Sequence, residues 1–520
     1  MHPKVIGFLL GLLVFVALSS MPTFAIFQTT AEGCVQSTSA DVDPVELARS
    51  MQVVFALLML MIIWWVTEAI PLSATAFLPA VILPVFHVIG IQGSAVHEFS
   101  MKNALVNYAN PVIYLFLGGF LLAAAMQKWS LDRRLTLWLL TRGNLADRPR
   151  SVLLAIMSVT AFLSMWISNT ATTAMMLPIG IGILSFVGLK PGQSRYGTAV
   201  MLGIAWAASI GGVGTIIGTP PNGIALGILN STFAGDPSYH RITFLDWMMF
   251  GIPYVVLYVP LAWFILLRLN RPEIDAIPGG KERLLSERAA LGRLSSGEKG
   301  TVAIFLLAVV LWASNPFWDD LLPRNIADQL SWIDEFSIGL IVGVLLFVVP
   351  VDLKRNIFLL TWEDTKFVDW GTLILFGGGI ALSDALFKTG LASLIASSFV
   401  NTLGSPSTLV MMVGIVFLMD FLTEVTSNTA VTSMMVPIII SIALKMGEDP
   451  TTLSVAAALG ASMAFMLPVA TPPNALVFGT GYVKIKDMIK AGVFLDVLGW
   501  VASVMILVVF GGWIFGVLKF

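Results

Sequence analysis

The sequence lacks most of what soluble catalysis uses. It holds one cysteine, Cys34, and four scattered histidines in 520 residues, which excludes a disulfide framework and a cysteine-based zinc site and offers no histidine metal cluster. Charged side chains make up 12% of the chain, against about 25% in soluble domains. A net charge of −2 favours no particular partner. There is no nucleic-acid motif, no phosphate loop and no polar stretch large enough for a soluble enzyme domain.

What fills the chain is apolar: 57% of residues are hydrophobic. Apolar runs recur at about 5–26, 51–70, 72–92, 110–126, 197–229, 246–268, 301–317, 336–351, 371–387, 452–480 and 491–518, each near the ~20 residues a membrane-crossing helix needs. The expectation is an all-α polytopic membrane protein of about eleven transmembrane helices. The first run, with His2 and Lys4 ahead of it and "TFA" ending at Ala25, reads either as a cleavable signal peptide or as a retained helix followed by a polar external loop at 27–46. The retained helix agrees better with the charge distribution.

Cytoplasmic loops hold an excess of Lys and Arg. With the N-terminus inside, cytoplasmic segments carry twenty-two of these residues and external segments seven (Arg49, Lys102, Arg241, Arg324, Lys388, Lys445 and Lys519). This places the N-terminus in the cytoplasm and the C-terminus outside, in a plasma membrane (the inner membrane of a Gram-negative bacterium). The count requires 151–189 and 405–444 each to leave and return on one side. Arg150 and Lys190 bracket the first segment, with Ser168, Asn169 and Thr170 near its middle. Each limb has about 17 residues, so a re-entrant hairpin is more economical than two short spans.

These segments are copies of one another. "SNTATTAMMLPI" (168–179) and "SNTAVTSMMVPI" (427–438) agree at nine of twelve positions. "YLFLGGFLLAAAMQKWSLDRRL" (114–135) aligns with "LILFGGGIALSDALFKTGLASL" (373–394) at the same offset of 259, and "GTPPNGIALG" (218–227) with "ATPPNALVFG" (470–479) at 252. The order is glycine-rich span, hairpin, broken span, and it occurs twice. One repeat covers 47–269 and the other 299–520, joined by a basic linker at 270–298. Because the first hairpin opens to the cytoplasm and the second to the outside, the repeats are inverted, as in secondary transporters whose site lies at the midplane between them.

Backbone at membrane depth must be hydrogen-bonded, so Pro220–Pro221 and Pro472–Pro473 within the spans 197–229 and 452–480 require breaks buried in protein or lining a polar cavity. Helix N-termini at such breaks suit carboxylates. Carbonyls, hydroxyls and Asn oxygens suit a small hard cation. Each motif alone is compatible with ordinary helix packing; their joint duplication is not.

Together, "WWVTEAIPLSATAFLPAV" (64–81), the two SNT motifs and the two TPPN motifs make the chain resemble the divalent anion/sodium symporter family, the INDY-type carriers of di- and tricarboxylates, over essentially its whole length. The resemblance implies eleven spans, two opposed hairpins, a homodimer and an elevator movement of a transport domain. It also implies one sodium site from Ser164, Ser168, Asn169 and the backbone near Gly218, and a second from Thr423, Ser427, Asn428 and the backbone near Ala470. Substrate carboxylates would meet Ser168, Asn169 and Thr170 from one tip and Ser427, Asn428 and Thr429 from the other, beside Thr219, Pro220, Thr471 and Pro472. No Lys or Arg lies at the tips or breaks, so co-transported sodium is the expected neutraliser of a dicarboxylate in a low-dielectric site.

The function expected is sodium-coupled import of a C4-dicarboxylate of the succinate, malate and fumarate class, without enzyme activity or organic cofactor. The alternatives are a sodium-independent exchanger and a sulfate or tricarboxylate carrier on the same fold. A channel needs an open path that midplane hairpins oppose, and an intramembrane enzyme finds no Ser/His pair or Asp dyad at the repeated positions. Asp420 and Glu424 break the symmetry, since Ala161 and Met165 stand at the equivalent places. They read either as proton carriers or as groups on the wetter outer rim of the hairpin, paired with a backbone donor or a basic group; the second reading is preferred.

Overall fold

A computed structural model describes residues 3–141, 148–236, 239, 241–277, 280–404 and 406–514. The expected placement of the chain ends, residues 278–279 of the linker and residue 405 at the start of the second hairpin lie outside the described residues. Among those described the fold is almost entirely helical, with only two small antiparallel strand pairs, Ile89–Gln92 with Ala95–Glu98 and Pro350–Asp352 with Ile357–Phe358. Nine described helices are long and apolar enough to cross a membrane, or up to eleven if each of two bent helix pairs is one span.

Local sequence explains where these helices begin and how closely they pack. Pro44–Thr67 opens with Asp43 accepting from the Val45 amide and proline at its first position, both favourable at an N-terminus. Pro3–Ser20 packs along it through Gly11, and the Trp64 indole N–H donates to Phe8 O at 3.2 Å. Pro111–Lys128 crosses Glu335–Val348 where Gly118 meets Gly339: a Cβ on Gly118 would stand 2.0 Å from the Gly339 carbonyl oxygen. Small residues at such crossings let membrane helices approach to backbone distance. Gly118→Ala must separate the two helices, and overpacking of this kind costs about 1–3 kcal/mol. The expected result is a lowered unfolding temperature in detergent; an unchanged melting curve would mean that the crossing is loose.

Two segments differ from expectation. Residues 72–92 do not form a continuous helix, for the chain makes short helices Leu72–Thr75 and Leu78–Val85 and then enters the strand Ile89–Gln92. Pro71, Pro79 and Pro84 each remove a backbone donor and disfavour helix in the residue before them. Residues 27–46 are not simply a loop, since Ala25–Thr38 is helical and buries Phe27 and Ala31, one turn apart, in packing against Pro44–Thr67.

The two segments expected to be hairpins and the two expected breaks each form a pair of helices joined by a turn or irregular chain, and three of the limbs, Asn169–Phe186, Thr408–Val425 and Asn428–Met446, are among the nine described helices long and apolar enough to cross a membrane. The limbs Pro149–Ser164 and Asn169–Phe186 flank the first tip, and Thr408–Val425 and Asn428–Met446 flank the second. The helix Arg195–Gly212 gives way to irregular chain before Pro220–Thr232, and Pro450–Ala461 does the same before Pro472–Gly479. The prolines occupy the opening positions of the second helix of each pair, where fixed φ and a missing N–H favour helix formation. The linker is tied to the first half by Arg134, which pairs with Glu298 and donates to the carbonyls of Leu291 and Gly292 at 2.9 Å each.

Candidate functional site

At the first tip, Ser168 caps the limb Asn169–Phe186, its hydroxyl accepting from the Ala171 amide at 3.3 Å. The Ser164 hydroxyl donates to Asn169 Oδ1 at 2.7 Å. That amide lies against the first break: a Cβ on Gly212 would fall 2.4 Å from Asn169 Oδ1 and 3.1 Å from the Gly218 carbonyl oxygen. Ser164, Asn169, Gly212 and Gly218 therefore converge, and all of their polar atoms that face one another are neutral oxygens or amide groups.

The second tip repeats the pattern. The Thr423 hydroxyl bonds Asn428 Oδ1 and lies 3.0 Å from the Ala461 carbonyl. Ala470 is buried in the second break, its N–H donating to Leu467 O at 3.2 Å. Ser427 precedes the limb Asn428–Met446 without a side-chain capping bond, in contrast to Ser168.

Each break is braced by the asparagine of its TPPN motif. Asn222 Nδ2 donates to Gly212 O at 3.1 Å and Thr215 O at 2.8 Å, and Asn474 Nδ2 to Ala464 O at 2.9 Å and Leu467 O at 3.0 Å. Both bonds shift by the same 252 residues that separate the motifs. One amide ties a carbonyl at or just beyond the end of the first helix to a carbonyl three residues on, which also accepts a backbone amide (Gly218 N–H to Thr215 O, Ala470 N–H to Leu467 O), so the interrupted backbone keeps its hydrogen bonds. The sequence pointed to the TPPN prolines and threonines but assigned this asparagine no role, although it belongs to the repeated motif.

The expected substrate residues are not all brought to one place. Thr170, exposed at the first tip, and Pro472, at the start of the opposite repeat's second helix, line one open cleft of about 550 Å³ with Ala475, Leu476, Gly479 and Thr480. Asn428 and Thr429 are half-buried and lie off this cleft. Thr219 and Thr471 are buried as the residues preceding the two proline-led helices, and Pro220 is half-buried.

Residues 43–517 match the family described as "Sodium:sulfate symporter transmembrane region". The chain belongs to the divalent anion/sodium symporter family. A Staphylococcus saprophyticus protein named sodium-dependent dicarboxylate transporter SdcS is 35% identical over 516 residues, covering 97% of this chain and 90% of that one. The protein of the same name from Staphylococcus aureus (strain bovine RF122) is 36% identical over 457 residues, covering 86% and 83%. In three dimensions the fold is similar to the YdaH transporter of Alcanivorax borkumensis, with a TM-score of 0.54 over 88% of this chain and 98% of that one, at 15% identity. It is also similar to MtrF of Neisseria gonorrhoeae, with a TM-score of 0.56 over 89% and 95%, at 15% identity. These two likenesses concern the fold alone.

Within this symporter-family chain, Asp420 and Glu424 depart from the expected rim position. Both are buried, at 7% and 2% exposure. Glu424 does find the backbone donors expected of it, accepting from the amides of Phe465, Met466 and Leu467 at 2.6, 2.8 and 3.1 Å. In the first repeat the corresponding tie is the Thr215 hydroxyl donating to the Met165 carbonyl. Sequence reasoning missed Asp496, which sits 5% exposed on the helix Ile485–Ile514 against this limb.

Proposed function

We propose that the chain imports a C4-dicarboxylate together with sodium ions, as a homodimer whose hairpin-bearing domain moves by an elevator mechanism. The observation that carries this reading is the duplicated set of neutral oxygens at hairpin tip and helix break, with no Lys or Arg in either. One sodium ion sits among Ser164, Ser168, Asn169 and the backbone at Gly218, and the other among Thr423, Ser427, Asn428 and the backbone at Ala470. The substrate carboxylates meet the tip residues Asn169, Thr170, Asn428 and Thr429 and the helix starts at Thr219–Pro220 and Thr471–Pro472. The names of the Staphylococcus relatives support sodium-dependent dicarboxylate transport. The charge count supports an N-terminus in the cytoplasm, a C-terminus outside, and hairpins that enter from opposite sides as inverted repeats.

Bound sodium would supply the positive charge that two carboxylates require in a low-dielectric site, and the tip and break would move as one unit because each cage takes ligands from both. In proteoliposomes, uptake of radiolabelled succinate is expected to need an inward sodium gradient and to carry net positive charge inward. Equal uptake with choline in place of sodium, in vesicles holding internal succinate, would favour the exchanger, and sulfate uptake that outpaces succinate would favour the sulfate carrier.

The movement has its own check. The Thr136 hydroxyl, on the helix Leu131–Leu140, lies 3.7 Å from Met176 Sδ on the first hairpin's second limb. In a Cys34→Ser background, a Thr136→Cys, Met176→Cys pair is expected to be bridged by mercuric ion and to lose transport, with excess thiol restoring it. Full transport by completely crosslinked protein would rule out motion between these two elements.

A further inference from the structure

Three carboxyl groups meet inside the second half, and hydrogen bonds account for only one of them. Asp420 and Glu424 lie a turn apart on Thr408–Val425, and Asp496 lies on Ile485–Ile514 packed against it. Glu424 is fully engaged by the three amides of 465–467. Asp496, on the helix packed against this limb, lies next to Glu424 and Asp420, yet neither of its oxygens has a donor, and Asp420 Oδ1 has none either. The other groups facing Asp496 are Tyr254 and Tyr258 of the helix Phe244–Leu269. The Tyr258 hydroxyl is already committed to Leu495 O at 2.6 Å. The helix Pro450–Ala461 and the break 462–471 carry no titratable side chain. On its own helix the charged residues Lys486, Asp487 and Lys490 lie at least six residues away, about 9 Å along the axis.

Two carboxylates are acceptors only, and one can bond the other only when it carries a proton. An ionised carboxylate buried with neither donor nor cation is among the least favourable arrangements a protein interior can hold. We propose that Asp496 is a proton-binding site: its carboxyl group carries a proton and donates it to the Glu424 carboxylate, which stays ionised on its three amides. The bound proton fixes Glu424, and through it the turn 465–467, whose Leu467 carbonyl accepts from both Asn474 and the Ala470 amide. Deprotonation sets a second negative charge against Glu424 and loosens that turn. The first half makes the corresponding tie with Thr215 and Met165, groups that do not titrate, so the response to protons belongs to the second half alone. The effect on sodium rests on the second cation cage proposed above; the proton itself does not.

The test separates the two. Infrared spectra of the purified protein, without sodium or substrate, are expected to show at neutral pH a protonated-carboxyl band that shifts on deuteration. One component of that band should be missing in Asp496→Asn, whose amide keeps a donor toward Glu424, while a component from Asp420, itself buried with Oδ1 unpaired, stays. Asp496→Ser is the second variant should the first not fold. The sodium concentration for half-maximal uptake is expected to rise several-fold with increasing pH in the parent and to stay flat in the variant. Absence of the band from the parent, or a band left unchanged in both variants, overturns the proton site. Loss of that component with an unaltered pH response upholds the site and overturns its link to the second cage.

Discussion

Asn169→Ala and Asn428→Ala are each expected to abolish sodium-driven uptake while leaving a folded protein that elutes as the parent does. Each amide is the one side chain at its tip that reaches the preceding limb: Asn169 Oδ1 takes the Ser164 hydroxyl and Asn428 Oδ1 the Thr423 hydroxyl. Asn169 also lies against Gly212 and the Gly218 carbonyl region of the break. Alanine removes the oxygen offered to a cation and the acceptor that orients the neighbouring hydroxyl. A lost buried hydrogen bond costs about 1–3 kcal/mol, and each 1.4 kcal/mol is tenfold in affinity, so loss of a cation ligand with it lowers uptake at fixed sodium by about 30-fold or more. The measurement is initial uptake against sodium concentration, with size-exclusion elution as the fold control. Near-normal uptake with unchanged sodium dependence in either variant would make the asparagines packing elements and remove the cages from the mechanism.

How much of this could be read from the sequence depends on what duplication marks. Tips and breaks were legible because each was written twice, and the helices Pro149–Ser164, Asn169–Phe186, Thr408–Val425 and Asn428–Met446 overrun the two segments so marked by no more than two residues. The interruption at 72–92 was hidden by an apolar composition that suits a span, although three prolines in or just before that segment already argued against a continuous helix. The helix Ala25–Thr38 was obscured by its polar face; Phe27 and Ala31, at helical spacing, were its only signal. Asp496 could not have been paired with Glu424, because 72 residues separate them and Glu424's counterpart in the first repeat is Met165, which cannot pair with a carboxyl group. Symmetry reveals shared machinery, and it is silent on what one repeat has that the other lacks.

That asymmetry also gives the sharpest test of the first cage. Gly212 and Ala464 are equivalent at the offset of 252 that relates the TPPN motifs, and their carbonyls accept equivalent bonds from Asn222 and Asn474. Yet only the first position must lack a side chain, since a Cβ on Gly212 would stand 2.4 Å from Asn169 Oδ1. A methyl group there would stand 2.4 Å from the amide oxygen and 3.1 Å from the Gly218 carbonyl oxygen, so the amide must leave the place where Ser164 meets it. Overpacking costs about 1–3 kcal/mol, equivalent to about 5- to 150-fold in an equilibrium constant. Gly212→Ala is therefore expected to raise the sodium concentration for half-maximal uptake by that factor, and at fixed sodium to reduce transport toward background, with a smaller change in thermal stability. Ala464→Gly, which removes a methyl group from the equivalent buried site, is expected to keep most of its transport and lose a little stability. If Gly212→Ala transports normally while Ala464→Gly does not, the two breaks have exchanged the roles assigned to them, and the close contact of Asn169 with the first break is not part of cation binding.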